Sequence, residues 1–289
     1  MDFKNAKELL ELCKAEHQPI SEIMRRRECD LGETTTDDVR HRMERALEIM
    51  RTSAKSPLKN PSKSMGGLIG GQAQLLEAHR AKGKSIAGDV LGKAMTYAMA
   101  VLEVNASMGL IVAAPTAGSA GVVPGLLLSL QEAYKISDDR LLDALMNAGA
   151  VGYLAMRNAT VAGAVGGCQA EVGVASAMAA SAAVELMGGS AVQSLDAAST
   201  VLMNMLGLVC DPVGGLVEYP CQNRNAAGVA NALLAAELAL SGVRQLIPFD
   251  EMLDAMYTVG KNLPASLRET ALGGCATAPS ACAACGMCH

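Results

Sequence analysis

Three cysteines, Cys168, Cys210 and Cys221, could carry chemistry because each lies beside glycine, proline or small polar residues in a stretch with few charges. Thiolates are metal ligands, and three of them in one dry pocket could hold an iron–sulfur cluster with one iron left free of protein ligands. Such an iron can act as a Lewis acid on a substrate oxygen. Their spacing is too wide for a local motif and is equally compatible with buried structural cysteines. The flanking Gly166-Gly167 and Asp211-Pro212 favour a binding site formed by loops over cysteines buried in a core helix.

A second group of cysteines lies at the end of the chain, where Cys282, Cys285 and Cys288 are followed by His289. The two successive C-x₂-C spacings are similar to part of a bacterial ferredoxin pattern, but the fourth cysteine followed by proline is missing. The same four residues could bind zinc, which would indicate an iron- or zinc-binding redox or metal-handling protein. The remaining interpretation is a tail of small residues with incidental cysteines.

Two glycine-rich loops could bind an anionic substrate group, because exposed backbone amides before a helix attract carboxylates. The predicted substrate-binding residues are Lys63, Ser64, Gly66 and Gly67 in the first loop and Thr116, Gly118 and Ser119 in the second. The first loop adds a cation to the amides, and both could equally be tight connections between helices.

These loops and cysteines require a scaffold, and the composition predicts an all-α fold of buried Ala/Gly-rich helices around a metal-site core. Hydrophobic residues make up 51% of the 289 residues, and no period-two alternation indicates strands. Helices are predicted over 171–187, 193–207, 225–242 and 249–261, with Thr36 and Ser137 as N-caps. The triplet at 25–27 is predicted to be a solvated arginine face.

The domain organisation is predicted as a helical segment over 1–55 and a helical catalytic domain over 56–289, forming one structural unit with a loop over 55–71. The net charge of −5 and the absence of tryptophan argue against a nucleic-acid partner. Residues 104–131 carry no charge, but their prolines and polar residues favour buried helices over a membrane span. The first residues lack a signal-peptide hydrophobic region, which predicts a cytoplasmic protein.

Four motifs occur in a characteristic order at 63–67, 113–124, 167–173 and 210–225, and together they resemble the α subunit of bacterial iron–sulfur L-serine dehydratase. The resemblance extends over nearly the whole chain from about residue 55. It implies an all-helical catalytic domain, a [4Fe–4S] cluster on Cys168, Cys210 and Cys221, and conversion of L-serine to pyruvate and ammonia. It also implies that a cysteine near the C-terminus caps the fourth iron until substrate displaces it. Cys288 is the best positional match, with Cys285 and Cys282 as rivals.

The catalytic base is not identified by the sequence. His17, His41 and His79 lie in charged helical segments, where surface positions are expected, and His289 ends the tail. In two-chain members of the resembled family, a β subunit carries a loop that supplies the base, so we expect activity only with a β subunit. A pyridoxal-phosphate dehydratase is the rival enzyme, and Lys63 beside Gly66-Gly67 is its weak candidate for a Schiff base.

Overall fold

The computed structural model describes residues 1–286, and over that range the chain is all-α, as the sequence predicts. Its helices are α1 (Ala6–Glu16), α2 (Ile20–Gly32), α3 (Thr36–Lys59), α4 (Gln72–Ala81), α5 (Gly88–Ala106), α6 (Val122–Tyr134), α7 (Asp138–Asn158), α8 (Gly163–Gly166), α9 (Val174–Leu186), α10 (Ala191–Asn204), α11 (Cys221–Leu240), α12 (Phe249–Asn262) and α13 (Pro279–Cys285). No strand forms among residues 1–286, where the one β-type pairing is an isolated bridge between Cys210 and Arg268.

Helix α9 forms the centre of the core, and every residue in it except Glu185 is buried. Helices α6, α7, α10 and α11 pack around it. Most of its side chains are alanine or serine, and such small side chains let neighbouring helices approach closely. The Ala-rich sequence therefore allows close packing of helices at the middle of the molecule. The residues that could carry chemistry lie in the loops at the helix ends.

The N-terminal helices contribute to the same hydrophobic core, which includes Phe3, Leu9 and Ile23 together with residues of α7 and α9. The predicted boundary after residue 55 falls inside α3, and the division into two segments stays a prediction. Helix α3 continues to Lys59, although a loop is predicted from residue 55. Pro57 lies in the last turn of this helix and has no amide hydrogen, so the Ser53 carbonyl lacks the hydrogen bond that residue 57 would otherwise donate.

The starts of α7 and α3 can be compared with the predicted N-caps. The Ser137 hydroxyl accepts a hydrogen bond from the Arg140 amide, which confirms the prediction for α7. Helix α3 is instead capped by Thr35, whose hydroxyl accepts from the Asp38 amide while the Asp38 carboxylate accepts from the Thr35 amide. The prediction of Thr36 is wrong by one residue, because Thr35 has Asp38 at the third position of a capping box, whereas Thr36 has Val39 there.

The predicted arginine face is only partly solvated. Arg27 is 8% exposed, and its guanidinium lies 3.7 Å from the centroid of the Tyr153 ring. This cation–π contact joins α2 to α7 and accounts for the burial of a charged group. Residues 104–131 form the end of α5, a loop and most of α6, and within residues 1–286 no helix is both long and apolar enough to cross a membrane.

Candidate functional site

The three central cysteines come together at the ends of different helices. Cys168 follows α8 and precedes a π-helical turn (Gln169–Gly173), Cys210 lies in the loop after α10, and Cys221 is the first residue of α11. Cys168 and Cys210 are 4% and 5% exposed, Cys221 is half-buried, and all three are free thiols. Helix α11 begins four residues earlier than predicted, so that Cys221 sits on a helix rather than before one.

The three thiols influence one another's pKa, as titratable groups that lie close together do. Burial raises the pKa of Cys221 to about 12, and the charges of Cys168 and Glu171 add to this effect. Burial also raises the pKa of Cys168 to about 12, although Arg224 opposes the shift. The pKa of Cys210 is raised by burial first and then by Glu171 and the other two cysteines. These surroundings therefore disfavour three thiolates, and a bound cation or metal centre would reverse that preference.

Two buried amide side chains fix the loops that carry the cysteines. The Gln169 side-chain amide donates to the Gly166 carbonyl at 2.9 Å and accepts from the Gly207 amide at 2.8 Å, which joins the Cys168 segment to the loop leading to Cys210. The Asn225 side chain donates to the carbonyls of Cys221 and Gly118, at 2.9 and 2.8 Å. Asn225 thereby ties the start of α11 to the second glycine-rich loop.

Arg224 places a positive charge beside the thiols. Its guanidinium donates to the Asp211 carboxylate at 2.6 Å and to the Val209 carbonyl at 2.8 Å, and its charge lowers the pKa of Cys168 against the effect of burial. A half-buried cation next to three thiols favours thiolates and any anionic centre that they bind. Sequence reasoning quoted Arg224 within a motif but gave it no role.

The donor set fits an iron–sulfur cluster. Three free thiols lie near one another, and a Cβ on Gly163 would lie 3.0 Å from the Cys210 sulfur, so glycine at this position keeps the space beside that thiol open. No group of three or more His, Cys, Asp or Glu side chains within residues 1–286 is close enough to bind a single metal ion. A cluster places each thiolate on a different iron, and its ligands therefore stand further apart than those of one ion.

Glu171 is a further site residue, which sequence reasoning missed. One carboxylate oxygen accepts a hydrogen bond from the Thr116 hydroxyl at 2.9 Å, and the other accepts from the Cys210 thiol at 3.6 Å. Burial raises the pKa of Glu171, the charge of Glu269 adds to this, and the two hydrogen bonds oppose it. An acidic residue three positions after Cys168 in a nearly charge-free stretch was the available signal.

The first glycine-rich loop is occupied by a carboxylate of the protein itself. Glu218 is 2% exposed and accepts from the Ser64 hydroxyl at 2.6 Å and from the amides of Gly66 and Leu68 at 2.5 and 2.9 Å. The loop is thus a real carboxylate-binding nest. Gly67 adopts a φ of +75°, and Lys63 is exposed without a hydrogen bond or ion pair to any of residues 1–286.

The second glycine-rich loop lies against the thiol site. The hydroxyls of Thr116 and Ser119 are 3.1 Å apart, and a Cβ on Gly118 would lie 3.6 Å from the Glu171 carboxylate. Asn225 holds the Gly118 carbonyl. The structure therefore brings Thr116, Gly118 and Ser119 next to the cysteines, while the binding roles predicted for both loops stay predictions.

The C-terminal segment is attached to the loop that carries Cys210. The Cys210 amide donates to the Leu267 carbonyl at 2.9 Å, and the Asp211 carboxylate accepts from the Cys275 amide at 2.6 Å. Helix α13, which contains Cys282 and Cys285, packs against the 3₁₀ turn Val213–Gly215. The tail cysteines are therefore carried beside the site, and Cys288 and His289 lie outside the described residues.

The histidines expected on the surface are there. His17, His41 and His79 are all exposed and lie in or just after helices α1, α3 and α4. Among residues 1–286, no histidine contributes to the thiol site. A histidine acting as general base on a substrate in this pocket must come from outside the described part of the chain.

Comparison with known proteins places this geometry in a family. A family model described as "Serine dehydratase alpha chain" matches residues 15–288. The chain is 47% identical over 278 residues to the probable L-serine dehydratase alpha chain of Bacillus subtilis (strain 168), a match covering 96% of this chain and 92% of that one. It is 44% identical over 274 residues to the L-serine dehydratase alpha chain of Peptoniphilus asaccharolyticus, covering 95% and 94%. The L-serine dehydratase of Helicobacter pylori (strain ATCC 700392 / 26695) is 38% identical over 281 residues, covering 95% of this chain but 61% of that one.

Proposed function

Because this chain belongs to the serine dehydratase alpha chain family, we propose that it is the α subunit of a cytoplasmic iron–sulfur enzyme that converts L-serine to pyruvate and ammonia. The observation that carries the proposal is that Cys168, Cys210 and Cys221, two buried thiols and one half-buried thiol, lie near one another beside Arg224. The three thiols lie at separate helix ends, and buried Gln169 and Asn225 fix the loops that carry them. Cysteines that only fill the core would not need such an arrangement.

The proposed ligands of a [4Fe–4S] cluster are Cys168, Cys210 and Cys221, with Cys288 as a displaceable fourth ligand. When bound, the cluster would supply a Lewis-acidic iron for the hydroxyl group of serine. Arg224 offsets part of the negative charge of the thiolates, and the close approach permitted by Gly163 leaves room beside Cys210. The attachment of the tail to Asp211 and to the loop of Cys210 supports the proposed proximity of the last residues to the site.

The reaction removes the α-proton and the β-hydroxyl of serine, and the resulting enamine becomes an imine that water hydrolyses to pyruvate and ammonia. The chain's part is to bind the substrate and orient its Cα–H toward a base. Lys63 and the loop of Thr116, Gly118 and Ser119 are the groups proposed to meet the substrate carboxylate. Ser64 and Gly66 already bind Glu218, so their contribution is to fix the backbone of the loop next to Lys63.

A β subunit is proposed to supply the base. The support is that the described histidines are all exposed and away from the thiols, and that the similar proteins of Bacillus subtilis and Peptoniphilus asaccharolyticus are named alpha chains. We expect the purified chain to carry the cluster but to need the β subunit for turnover. Full activity of the chain alone would overturn this part of the proposal.

The direct test is anaerobic iron and sulfide determination on the wild type, Cys168→Ala and Cys221→Ala, with a pyruvate assay on L-serine in the presence of the β subunit. Cys13→Ala is the matched control, because Cys13 is also a buried free cysteine but lies in α1. We expect the two site variants to lose the cluster and all activity and the control to keep both. Normal iron content in both site variants would refute the ligand assignment.

Deletion of residues 282–289 separates this proposal from a metal-handling tail. The proposed enzyme keeps most of its iron after the deletion and becomes more sensitive to oxygen, because only the displaceable ligand is lost. A redox or metal-handling protein that uses the C-terminal cysteines loses its metal instead.

An absorbance band reversed by hydroxylamine would indicate pyridoxal phosphate rather than a cluster.

A further inference from the structure

We propose that the β subunit docks on an apolar rim beside the thiol site, formed by Met65, Met108, Leu110, Leu216 and Tyr219. Their exposures are 71%, 78%, 68%, 37% and 44%, respectively. Large apolar side chains exposed together mark interaction surfaces more often than isolated ones do. This inference rests on the proposed function, which requires a second subunit at the site.

The rim residues come from three segments of the sequence that lie next to one another. The Met65 amide donates to the Ala106 carbonyl at 2.9 Å, which holds the first glycine-rich loop against the end of α5, two residues before Met108. A Cβ on Gly66 would lie 2.5 Å from a methyl carbon of Leu216. The first loop therefore contacts both of the other segments.

Glu218 makes this surface rigid. It lies between Leu216 and Tyr219 in the sequence, and its carboxylate accepts three hydrogen bonds from the loop that carries Met65. Two of the three rim segments are thereby locked together before any partner arrives. A preorganised surface loses little conformational entropy on binding, and methionine side chains adapt to an apolar partner.

The rim adjoins the site. A Cβ on Gly118 would lie 3.3 Å from a methyl carbon of Val217 and 3.6 Å from the Glu171 carboxylate. Val217 follows Leu216 directly, so about one layer of side chains separates the rim from Glu171 and the thiols. A subunit seated on the rim would stand beside the pocket, where a base could reach a bound substrate.

The lengths of the relatives favour a β subunit as the occupant over a second copy of this chain. The match covers nearly all of the two relatives named alpha chain, but only 61% of the Helicobacter pylori relative, whose name has no chain designation. The Helicobacter pylori chain therefore holds further sequence that has no counterpart in the two relatives named alpha chain. For a protein named alpha chain, a companion polypeptide is the simplest source of that part, and the rim is the surface that we propose for it.

The test measures the affinity of the anaerobically purified chain for the β subunit by isothermal titration calorimetry. Met65→Glu and Met108→Glu place a charge in the rim, and Leu110→Gln is a milder change. Ile86→Glu and Leu246→Glu are matched controls, because both residues are highly exposed and apolar but lie in other loops. We expect the two glutamate variants in the rim to weaken binding about 100-fold and Leu110→Gln about tenfold, with the controls close to the wild type.

Iron content and melting temperature should be unchanged in all five variants, because the altered side chains are exposed, and excess β subunit should restore turnover in the rim variants. Wild-type affinity in Met65→Glu and Met108→Glu would overturn the docking site, and so would a wild-type chain that does not bind the β subunit. A wild-type pair that forms through the rim but yields no pyruvate from L-serine would refute the proposed function and leave the docking site standing.

Discussion

Three carboxylates at the thiol site have different partners and therefore different consequences. Glu171 faces a thiol and a hydroxyl, Asp211 faces a guanidinium and a backbone amide, and Glu218 faces two amides and a hydroxyl. A buried carboxylate is costly unless donors satisfy it, so each of these residues fixes the groups around it. Of the three, Glu171 is the one that accepts a hydrogen bond from one of the three thiols, that of Cys210.

Glu171→Gln is expected to lower kcat by about tenfold or more while the chain keeps its iron. The amide keeps the size of the side chain but removes the negative charge that faces Thr116 and Cys210. The measurement is pyruvate formation with the β subunit, alongside iron determination. Glu237→Gln on the exposed face of α11 is the control. Unchanged kcat in Glu171→Gln would show that this carboxylate only supports the loop.

At the scale of elements, short loops position the site and hydrogen bonds from buried side chains fix the loops. The first glycine-rich loop follows α3, the second precedes α6, and the Cys210 loop joins α10 to α11. Their glycines allow the close approaches that a Cβ would prevent, as at Gly66, where it would lie 2.5 Å from a Leu216 methyl carbon, and at Gly121, where it would lie 2.2 Å from the Ala98 carbonyl oxygen. Rigidity in these loops comes from Glu218, Gln169 and Asn225 rather than from helical structure.

Glu218→Ala is expected to lower the free energy of unfolding by about 2–4 kcal/mol, because one buried and two part-buried donors lose their acceptor. Glu218→Gln should cost less and should raise KM for serine more than it lowers kcat, since the backbone next to Lys63 is held less firmly. Urea unfolding and steady-state kinetics provide the two measurements. Glu251→Gln in α12 serves as the exposed control. Equal KM in Glu218→Gln and the wild type would argue against a positioning role.

Asp211→Asn is expected to release the C-terminal segment. One carboxylate oxygen binds Arg224 and the other binds the Cys275 amide, and an asparagine cannot accept both hydrogen bonds. Hydrogen exchange measured by mass spectrometry should speed up over residues 274–286 and stay unchanged in α12. Asp196→Asn, which removes a partner of Arg244 elsewhere, is the control. Unchanged hydrogen exchange over the tail would show that the β-bridge between Cys210 and Arg268 and the packing of α13 are sufficient to hold the C-terminal segment.

At the scale of the whole molecule, the helices could be predicted from the sequence, whereas the contacts between them could not. Apolar periodicity and the absence of strand alternation indicate α7, α9, α10 and α12 within a few residues. The motifs indicate which cysteines matter. The partner of Glu218 lies some 150 residues away in the chain, and no local pattern encodes such a contact. Arg27 was misjudged for the same reason, because its burial depends on Tyr153 in a distant helix.

Glu132 joins three helices across the molecule, and its ionisation links stability to pH. Its carboxylate accepts from Lys55 of α3 at 2.8 Å and from Lys93 and Tyr97 of α5, both at 2.9 Å. Burial alone would raise the pKa of Glu132, but hydrogen bonds from the two lysines and the tyrosine outweigh burial and lower it to about 2. A folded-state pKa below the ordinary value of 4.5 means that the ionised carboxylate stabilises the fold above that pH.

We therefore expect Glu132→Gln to lower the free energy of unfolding at pH 7 by about 1 kcal/mol, a modest figure because the side chain is 30% exposed and solvent weakens its ion pairs. The difference from the wild type should be constant above pH 4.5 and should shrink as the pH falls toward 2, where the wild-type carboxyl also becomes neutral. Urea unfolding of the chain across this range measures it. Glu48→Gln, exposed on α3, should show no such dependence. A difference that stays constant down to pH 2.5 would mean that packing of the glutamate side chain, and not its charge, holds α3, α5 and α6 together.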